Sequence, residues 1–347
     1  MPQARDLRRA VTVALLTMLV VMPAPLARAA CSGPGYLATL ARSHPDALAG
    51  IVAKSAAVPY ARGRFWRVEK DGRVSHIFGT LHSADPALSS LPVPVEQALE
   101  TARLLLVEVL PEEQRRLSRL IAADPDRFFD AGGAPLSRKL SAAAWRRLRK
   151  RLTALGYDPG RAARIRPWFA AMLIASPPCI LADMRRGARL MDFRLVDRVR
   201  ESGRPVRALE GLEETLAIFE LSTEDRQLAL LRLGLAFADR LDELTVATRQ
   251  LYLAGEIHRI WLLNETFVAL ETGEAALMDA LQLFRERALV ARNRAWLPAI
   301  EAELARGGVF IAVGALHLSG PDGLPALLSA RGYRISPVTL PRPETAQ

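Results

Sequence analysis

Apolar residues recur along this chain at two spacings, and the change from one to the other divides it into three stretches. Near the beginning and again near the end, short apolar or alternating runs mark strands. Between them, long Ala-, Leu-, Arg- and Glu-rich segments place apolar residues three and four apart, as amphipathic helices do. Cys31 to Ala61 reads as short helical material. Phe65 to Glu69 and Val74 to Phe78 read as a hairpin closed at Asp71-Gly72, a dipeptide that supplies the positive-φ positions of a tight turn. The second strand runs into Gly79-Thr80-Leu81-His82. A helix is expected from about Pro94 to Ala102, then a buried strand over Leu104 to Val109.

Residues 110–300 read as mainly helical, interrupted by one strand, Pro205 to Glu210, after the helix-ending Gly203. A long helix is expected over Ala275 to Arg306, stopped by Gly307-Gly308. The opening theme then returns: strand Val309 to Val313, Gly314-Ala315-Leu316-His317, helix Leu324 to Arg331, strand Tyr333 to Val338. The expected fold is therefore α/β, a split mixed sheet from two βαβ-like halves that each carry a Gly-x-x-His loop, with a large helical insertion. Parallel strands from both halves would end at one sheet edge, where sites form in open α/β sheets.

The first thirty residues change the picture of where this fold operates. Arg5, Arg8 and Arg9 precede the apolar stretch Ala10 to Met22, and Ala27-Arg28-Ala29 offers small residues for a signal peptidase. Residues 1–30 are thus expected to be a signal peptide, and 31–347 a single domain in the periplasm or outside the cell, with no transmembrane span after signal removal. A lipid anchor at Cys31 would want an aliphatic residue where Arg28 stands. In an oxidising compartment Cys31 and Cys179 are expected to form a disulfide. The formal charge of +10 suggests an anionic partner. However, only Lys54, Lys70, Lys139 and Lys150 are lysines, and the clusters Arg146 to Arg151 and Arg185 to Arg189 lack interleaved stacking aromatics. Solvated helix faces explain them, and no nucleic-acid partner is expected.

Candidate chemistry begins with the five histidines. His82 and His317 share a context, each three residues after a glycine that lets the chain leave its strand; His44, His76 and His258 do not. Two neutral imidazoles on paired loops hold a divalent metal when a carboxylate or water completes the shell. Glu108, at the end of an apolar strand and on the face of Leu104 and Leu106, is costly to bury unless it meets a metal, an arginine or other donors. It is the expected metal ligand or general base. Glu210 stands similarly at its own strand end, with Asp192 behind it as a candidate. Asn293 shares a helix face with Leu289, Trp296 and Ile300, so its amide needs buried partners; with Arg292 it is expected to polarise a carbonyl or steady an oxyanion. His-Glu-x-x-His, Walker, Gly-x-Gly-x-x-Gly and Gly-x-Ser-x-Gly patterns are missing, which weakens the zincin, nucleotide-binding and serine-hydrolase readings.

Taken in order, Phe65-Trp66-Arg67-Val68, Phe78-Gly79-Thr80-Leu81-His82, Leu106-Val107-Glu108, Gly203-Arg204-Pro205-Val206-Arg207-Ala208-Leu209-Glu210, Arg292-Asn293 and Val313-Gly314-Ala315-Leu316-His317 resemble the TraB/GumN family across nearly all of the mature chain. The resemblance implies a relation to the Tiki metalloproteases and the erythromycin-esterase/ChaN-like group. It implies a metal-dependent site at His82, Glu108, Arg292, Asn293 and His317, with a peptide or protein as substrate; the mixed histidine and carboxylate donors allow zinc, manganese or cobalt. Trp296 stands where many relatives carry Met. The family is functionally mixed, so a second expectation is a non-enzymatic periplasmic protein that sequesters a peptide or metal-containing ligand. Metal, substrate and oligomeric state are not named by the residues.

Overall fold

The computed structural model describes residues 31–341; the expected signal peptide, residues 1–30, lies outside the described residues. Six strands build one mixed sheet: β1 (Phe65–Lys70), β2 (Arg73–Thr80), β3 (Leu104–Val107), β4 (Val206–Ala208), β5 (Val309–Gly314) and β6 (Arg334–Pro337). Their order is β4-β3-β5-β2-β1-β6. Strand β1 runs against both its neighbours, whereas β2, β5, β3 and β4 are parallel. Both crossover units are split: β5 lies between β2 and β3, while β2 and β1 lie between β5 and β6. The α/β class is as expected, and the interleaving sets the two echoing strands side by side. At the hairpin, Asp71 and Gly72 have φ of 50° and 71°, the left-handed pair that a two-residue turn between twisted strands requires.

Alternation along the strands sorts their side chains onto two faces. Phe65, Phe78, Leu105, Val107, Phe310 and Ala312 join the core shared with the helical insertion. Trp66, Val68, Ile77, Leu106, Ile311 and Val313 join a smaller core, covered by Trp296, Leu297 and Ile300 of the helix Ala291–Leu304 and by Leu324 and Leu328. Strand β5 is buried at every position. Covered on both faces, it has no reason to alternate, hence its unbroken apolar run.

The long late helix departs from its expected form. Its course is Ala275–Arg285, then a π turn at Glu286–Val290, then Ala291–Leu304. A π turn inserts one residue and shifts the phase of the later helical turns without changing apolar character, so periodicity alone passes over it. Strands β3 and β4 also stop earlier than their apolar runs, at Val107 and Ala208. The residues just beyond these ends are Glu108 and Glu210, where the chain leaves the ladder.

Cys31 and Cys179 form the expected disulfide across a sequence separation of 148. Arg249 donates to the Cys31 carbonyl at 3.1 Å and pairs with Asp85, tying the bridge to the loop that follows His82. A disulfide suits an oxidising compartment and is in keeping with a non-cytoplasmic protein. Among the described residues no single helix is long and apolar enough to cross a membrane. The pair Pro167–Ile174 and Pro178–Arg185 qualifies only jointly and is bent by 69°, with Trp168 and Phe169 buried in the core. In the basic clusters, Arg147 pairs with Asp239 at 2.6 Å and Arg189 with Asp197 at 2.7 Å.

Candidate functional site

The register of the parallel strands decides what meets at the sheet edge. Thr80 lies opposite Gly314, Val107 opposite Ala312, and Val107 again opposite Ala208. Strands β2, β5, β3 and β4 therefore end together, and His82, His317, Glu108 and Glu210 follow those ends within a few residues. The two glycines of the His loops are needed for close approach rather than for unusual φ. Gly314 has φ −52°, and a Cβ there would lie 3.1 Å from Glu108 Oε1 and 3.2 Å from His82 Nε2. A Cβ on Gly79 would lie 2.9 Å from the Ala315 Cα and 2.8 Å from Leu318 Cδ1. One glycine thus leaves room in the site, and the other lets the second loop pack against the first.

Each imidazole is held through its Nδ1. His82 Nδ1 donates to Asp192 Oδ2 at 2.9 Å, and the Thr80 hydroxyl donates to the other Asp192 oxygen. His317 Nδ1 donates to Asn293 Oδ1 at 2.7 Å, while Asn293 Nδ2 donates to the His317 carbonyl at 3.2 Å and to that of Asp322 at 2.8 Å. Both Nε2 atoms face one oxygen, Glu108 Oε1, at 3.8 Å from His82 and 3.6 Å from His317. That oxygen also accepts from the Gly314 N–H at 2.6 Å.

Arg292 fills the remaining side. Its Nη2 donates to Glu108 Oε2 at 2.5 Å and Glu210 Oε1 at 2.7 Å, and its Nε to Glu210 Oε2 at 2.9 Å. Its Nη1 donates to the Ala288 carbonyl at 2.9 Å and to His317 Nε2 at 3.2 Å. All the guanidinium N–H groups are thereby engaged. Ala288 belongs to the π turn, which thereby supplies one of Arg292's acceptors. Trp296, one helical turn on, donates to Glu210 Oε2 at 3.0 Å and lies beneath the Arg292 guanidinium, 4.6 Å from ring centroid to Cζ.

These contacts set the charges. The Asp192 carboxylate beside its Nδ1 raises the His82 pKa to about 9. Burial lowers that of His317 to about 3, which keeps it neutral. Burial alone would raise Glu108, but His317, Arg292, His82 and the Gly314 N–H together hold it below the ordinary carboxylate range. Burial likewise works against the Arg292 charge, and Glu108 and Glu210 overcome it. The cluster therefore gathers Glu108, Glu210 and Asp192 around the buried Arg292 guanidinium and the His82 imidazole.

The expected site residues His82, Glu108, Arg292, Asn293 and His317 stand in one cluster, but two have roles unlike those expected. Asn293 spends its amide on His317 and Asp322 and so orients an imidazole. Arg292, its donors all engaged, holds the two glutamates. Asp192 and Glu210 are direct partners of the cluster, although their sequence contexts carried weak signals. Thr80 was missed, and its place in Gly79-Thr80-Leu81-His82 was the available hint. Of the other histidines, His258 meets Ser319 Oγ at 3.2 Å, His76 stacks on Phe65 and His44 separates two helices.

The cluster floors a bowl of about 440 Å³ whose walls include Leu81, Phe193, Ile218, Phe219, Phe284 and Leu316. Whether its floor suits a cation depends on the donors. With both Nδ1 atoms carrying the held protons, the Nε2 atoms turn toward the carboxylate oxygen across the space a Gly314 Cβ would fill. Ligands about 2.1 Å from a first-row ion sit roughly 3.3 Å apart. The observed separations of 3.6 and 3.8 Å are slightly wider, and among the described residues no three His, Cys, Asp or Glu side chains form a ready-made metal shell. Arg292 Nη1 already donates to His317 Nε2 at 3.2 Å, so a divalent ion at His82, His317 and Glu108 would have to displace that bond as well as draw the ligands together.

Two proteins described as uncharacterized protein YbaP are similar to this chain. The one from Shigella flexneri is 25% identical over 261 residues, covering 74% of this chain and 88% of its own. The one from Escherichia coli (strain K12) is 25% identical over 258 residues, covering 73% and 87%. The model of the TraB/PrgY/gumN family matches residues 64–337, a span that contains every strand and every residue of the cluster, and the chain belongs to that family.

Proposed function

We propose that the protein is a metal-dependent hydrolase of the periplasm or extracellular space that cleaves an amide bond in a peptide or protein. The observation that carries this reading is the convergence of two oriented imidazoles and one ionised carboxylate on the space above Gly314, open to the bowl. His82, His317 and Glu108 would hold the cation, and zinc, manganese or cobalt suits such a mixed nitrogen and oxygen set. When bound, the ion supplies Lewis acidity and makes water acidic enough to lose a proton near neutrality.

The protein's own groups do the rest. Glu108, kept ionised by Arg292 and the Gly314 N–H, would supply the anionic ligand, while the proton lost by water leaves through solvent in the bowl and the departing amine takes one up from the same solvent. The water oxygen bonds to the carbonyl carbon as the C–N bond breaks. Asp192 and Asn293 fix the two imidazoles by their Nδ1–H groups, the outer support that metal-binding histidines use. Arg292, its N–H groups all engaged within the cluster, stabilises the glutamate pair.

The test is the divalent-metal content of the purified mature protein beside His82→Ala and His317→Ala, followed by a peptide-library cleavage screen. Stoichiometric metal in the parent, lost in both folded variants together with cleavage, is the expected result. Equal metal content in all three, or none across zinc, manganese and cobalt, overturns the reading and leaves a binding protein as the better account.

A further inference from the structure

Beyond the bowl, within the helical insertion, lies a second cavity of about 260 Å³. It shares three residues with the bowl, Phe219, Phe284 and Leu316, so the two spaces adjoin at that wall. The rings of Phe219 and Phe284 pack 5.9 Å apart, centroid to centroid. Deeper in, the annex is bounded by Ile174, Leu230, Leu233 and Trp261, and Asn264 is the sole side-chain amide on its lining. That amide already donates to the Ile260 carbonyl at 2.8 Å.

Two physical facts constrain an occupant. Interiors pack with few voids larger than a water, and an engineered apolar hole of about 150 Å³ is enough to take up a benzene. This space is a half-open apolar cleft rather than a sealed void, with room for a ligand group and apolar walls that water covers at a cost. Its walls offer almost no hydrogen bonds, so a peptide backbone entering it would leave N–H and C=O groups unpaired, at considerable cost. An unbranched hydrocarbon chain brings no such groups. At roughly 27 Å³ per methylene at interior density, the annex takes about ten carbons.

We propose that the substrate of this site carries an acyl chain of about ten carbons that lies in the annex, past Phe219 and Phe284, while its polar end rests in the bowl. The inference relies on the hydrolase reading for what is cleaved, but not for what is bound. Chain and polar group would be read by separate compartments, and the floor of the bowl would meet the amide where the chain ends. An acylated peptide and a free fatty acid share this chemistry.

The experiment measures equilibrium binding of N-acyl-dialanine probes with acyl chains of about two, six, ten and fourteen carbons, together with free decanoate, to the full mature protein. Affinity is expected to rise about fourfold per methylene up to roughly ten carbons and then level off. Gly234→Leu points a side chain into the annex from a position where a Cβ would lie 3.2 Å from Ile174 Cδ1. It is expected to weaken the ten-carbon probe at least tenfold and leave the two-carbon probe unchanged. Phe284→Ala, at a half-buried position, keeps the test usable if Gly234→Leu does not fold, and is expected to move the plateau to longer chains.

Affinity independent of chain length, or a plateau unmoved by either folded variant, overturns the proposal. Tighter binding of the acylated dipeptide than of decanoate assigns the chain to a peptide, and equal binding assigns it to a fatty acid. Length-dependent binding without cleavage keeps the annex and removes the hydrolase reading. Cleavage of plain and acylated peptides at equal rates does the reverse.

Discussion

The loop Gly79 to His82 and the loop Gly314 to His317 follow adjacent parallel strands and turn their imidazoles toward the same carboxylate, yet they hold them in opposite states. The His82 side chain stands 57% exposed at the rim, and its pKa is raised to about 9 by the Asp192 carboxylate. The His317 side chain is 3% exposed, and burial lowers its pKa to about 3. Asp192 comes from the helix Met191–Glu201 in the insertion, whereas Asn293 comes from the helix Ala291–Leu304 on the other side of the sheet. The repeated pattern sets where each ring stands; the element packed behind it sets its charge. To hold a cation, the neutral imidazole would have to give up the hydrogen bond its Nε2 accepts from Arg292, and the charged one its second proton.

The sharpest way to break this comparison is to remove the charge both loops share. Arg292→Ala leaves Glu108 and Glu210 buried without their partner, and it is expected to cost about 3–5 kcal/mol in denaturant unfolding. A loss below about 1 kcal/mol, the range of exposed pairs, would show that water reaches the cluster and screens its charges.

Next in size are the two glycines, which test the loops separately. Gly79→Ala and Gly314→Ala are each expected to lower stability by about 1–3 kcal/mol through overpacking. Only Gly314→Ala should also abolish divalent-ion binding, because its Cβ would enter the space between Glu108 and His82. Equal ion binding in both variants would remove that distinction.

A smaller effect separates the imidazoles by pH. His82, with its folded pKa raised from 6.5, stabilises the fold below 6.5, and that contribution is lost as pH rises through about 9. His317, with its folded pKa lowered from 6.5, disfavours protonation of the fold. Its contribution is complete above 6.5 and falls away as pH drops toward 3, by up to about 1.4 kcal/mol per pH unit. Stability against pH should therefore fall on both sides of 6.5. Asp192→Asn is expected to flatten the alkaline limb and His317→Gln the acid limb, each checked by urea midpoints across pH. An unchanged alkaline limb in Asp192→Asn would remove the carboxylate as the cause of the His82 shift. Last and smallest, His44→Ala, on an exposed histidine outside either loop, should alter stability by less than about 0.5 kcal/mol and ion binding not at all.

Much of the fold was legible because burial writes itself into local pattern. The hairpin at Asp71-Gly72, the apolar runs of β3 and β5 and the helical insertion each arise from residues close in sequence. The π turn was not legible, since a one-residue phase shift preserves composition while turning Arg292 toward its glutamates. Within the site, His82, His317 and Glu108 announced themselves by strand-end position. Asp192 and Glu210 did not, because an acidic residue at a helix start or strand end is ordinary until its partner is known.

By itself, then, the sequence determined the α/β class, the paired Gly-x-x-His pattern, and the buried amide and carboxylate that need partners, because spacing and polarity are local properties. Tertiary structure alone decided that β5 inserts between β2 and β3, that the two histidines share one oxygen and that one is charged and the other neutral. It also decided that an apolar annex adjoins the bowl. Such facts depend on strand order, on which distant helix covers each loop and on the dielectric each group meets, and no short window of residues contains them.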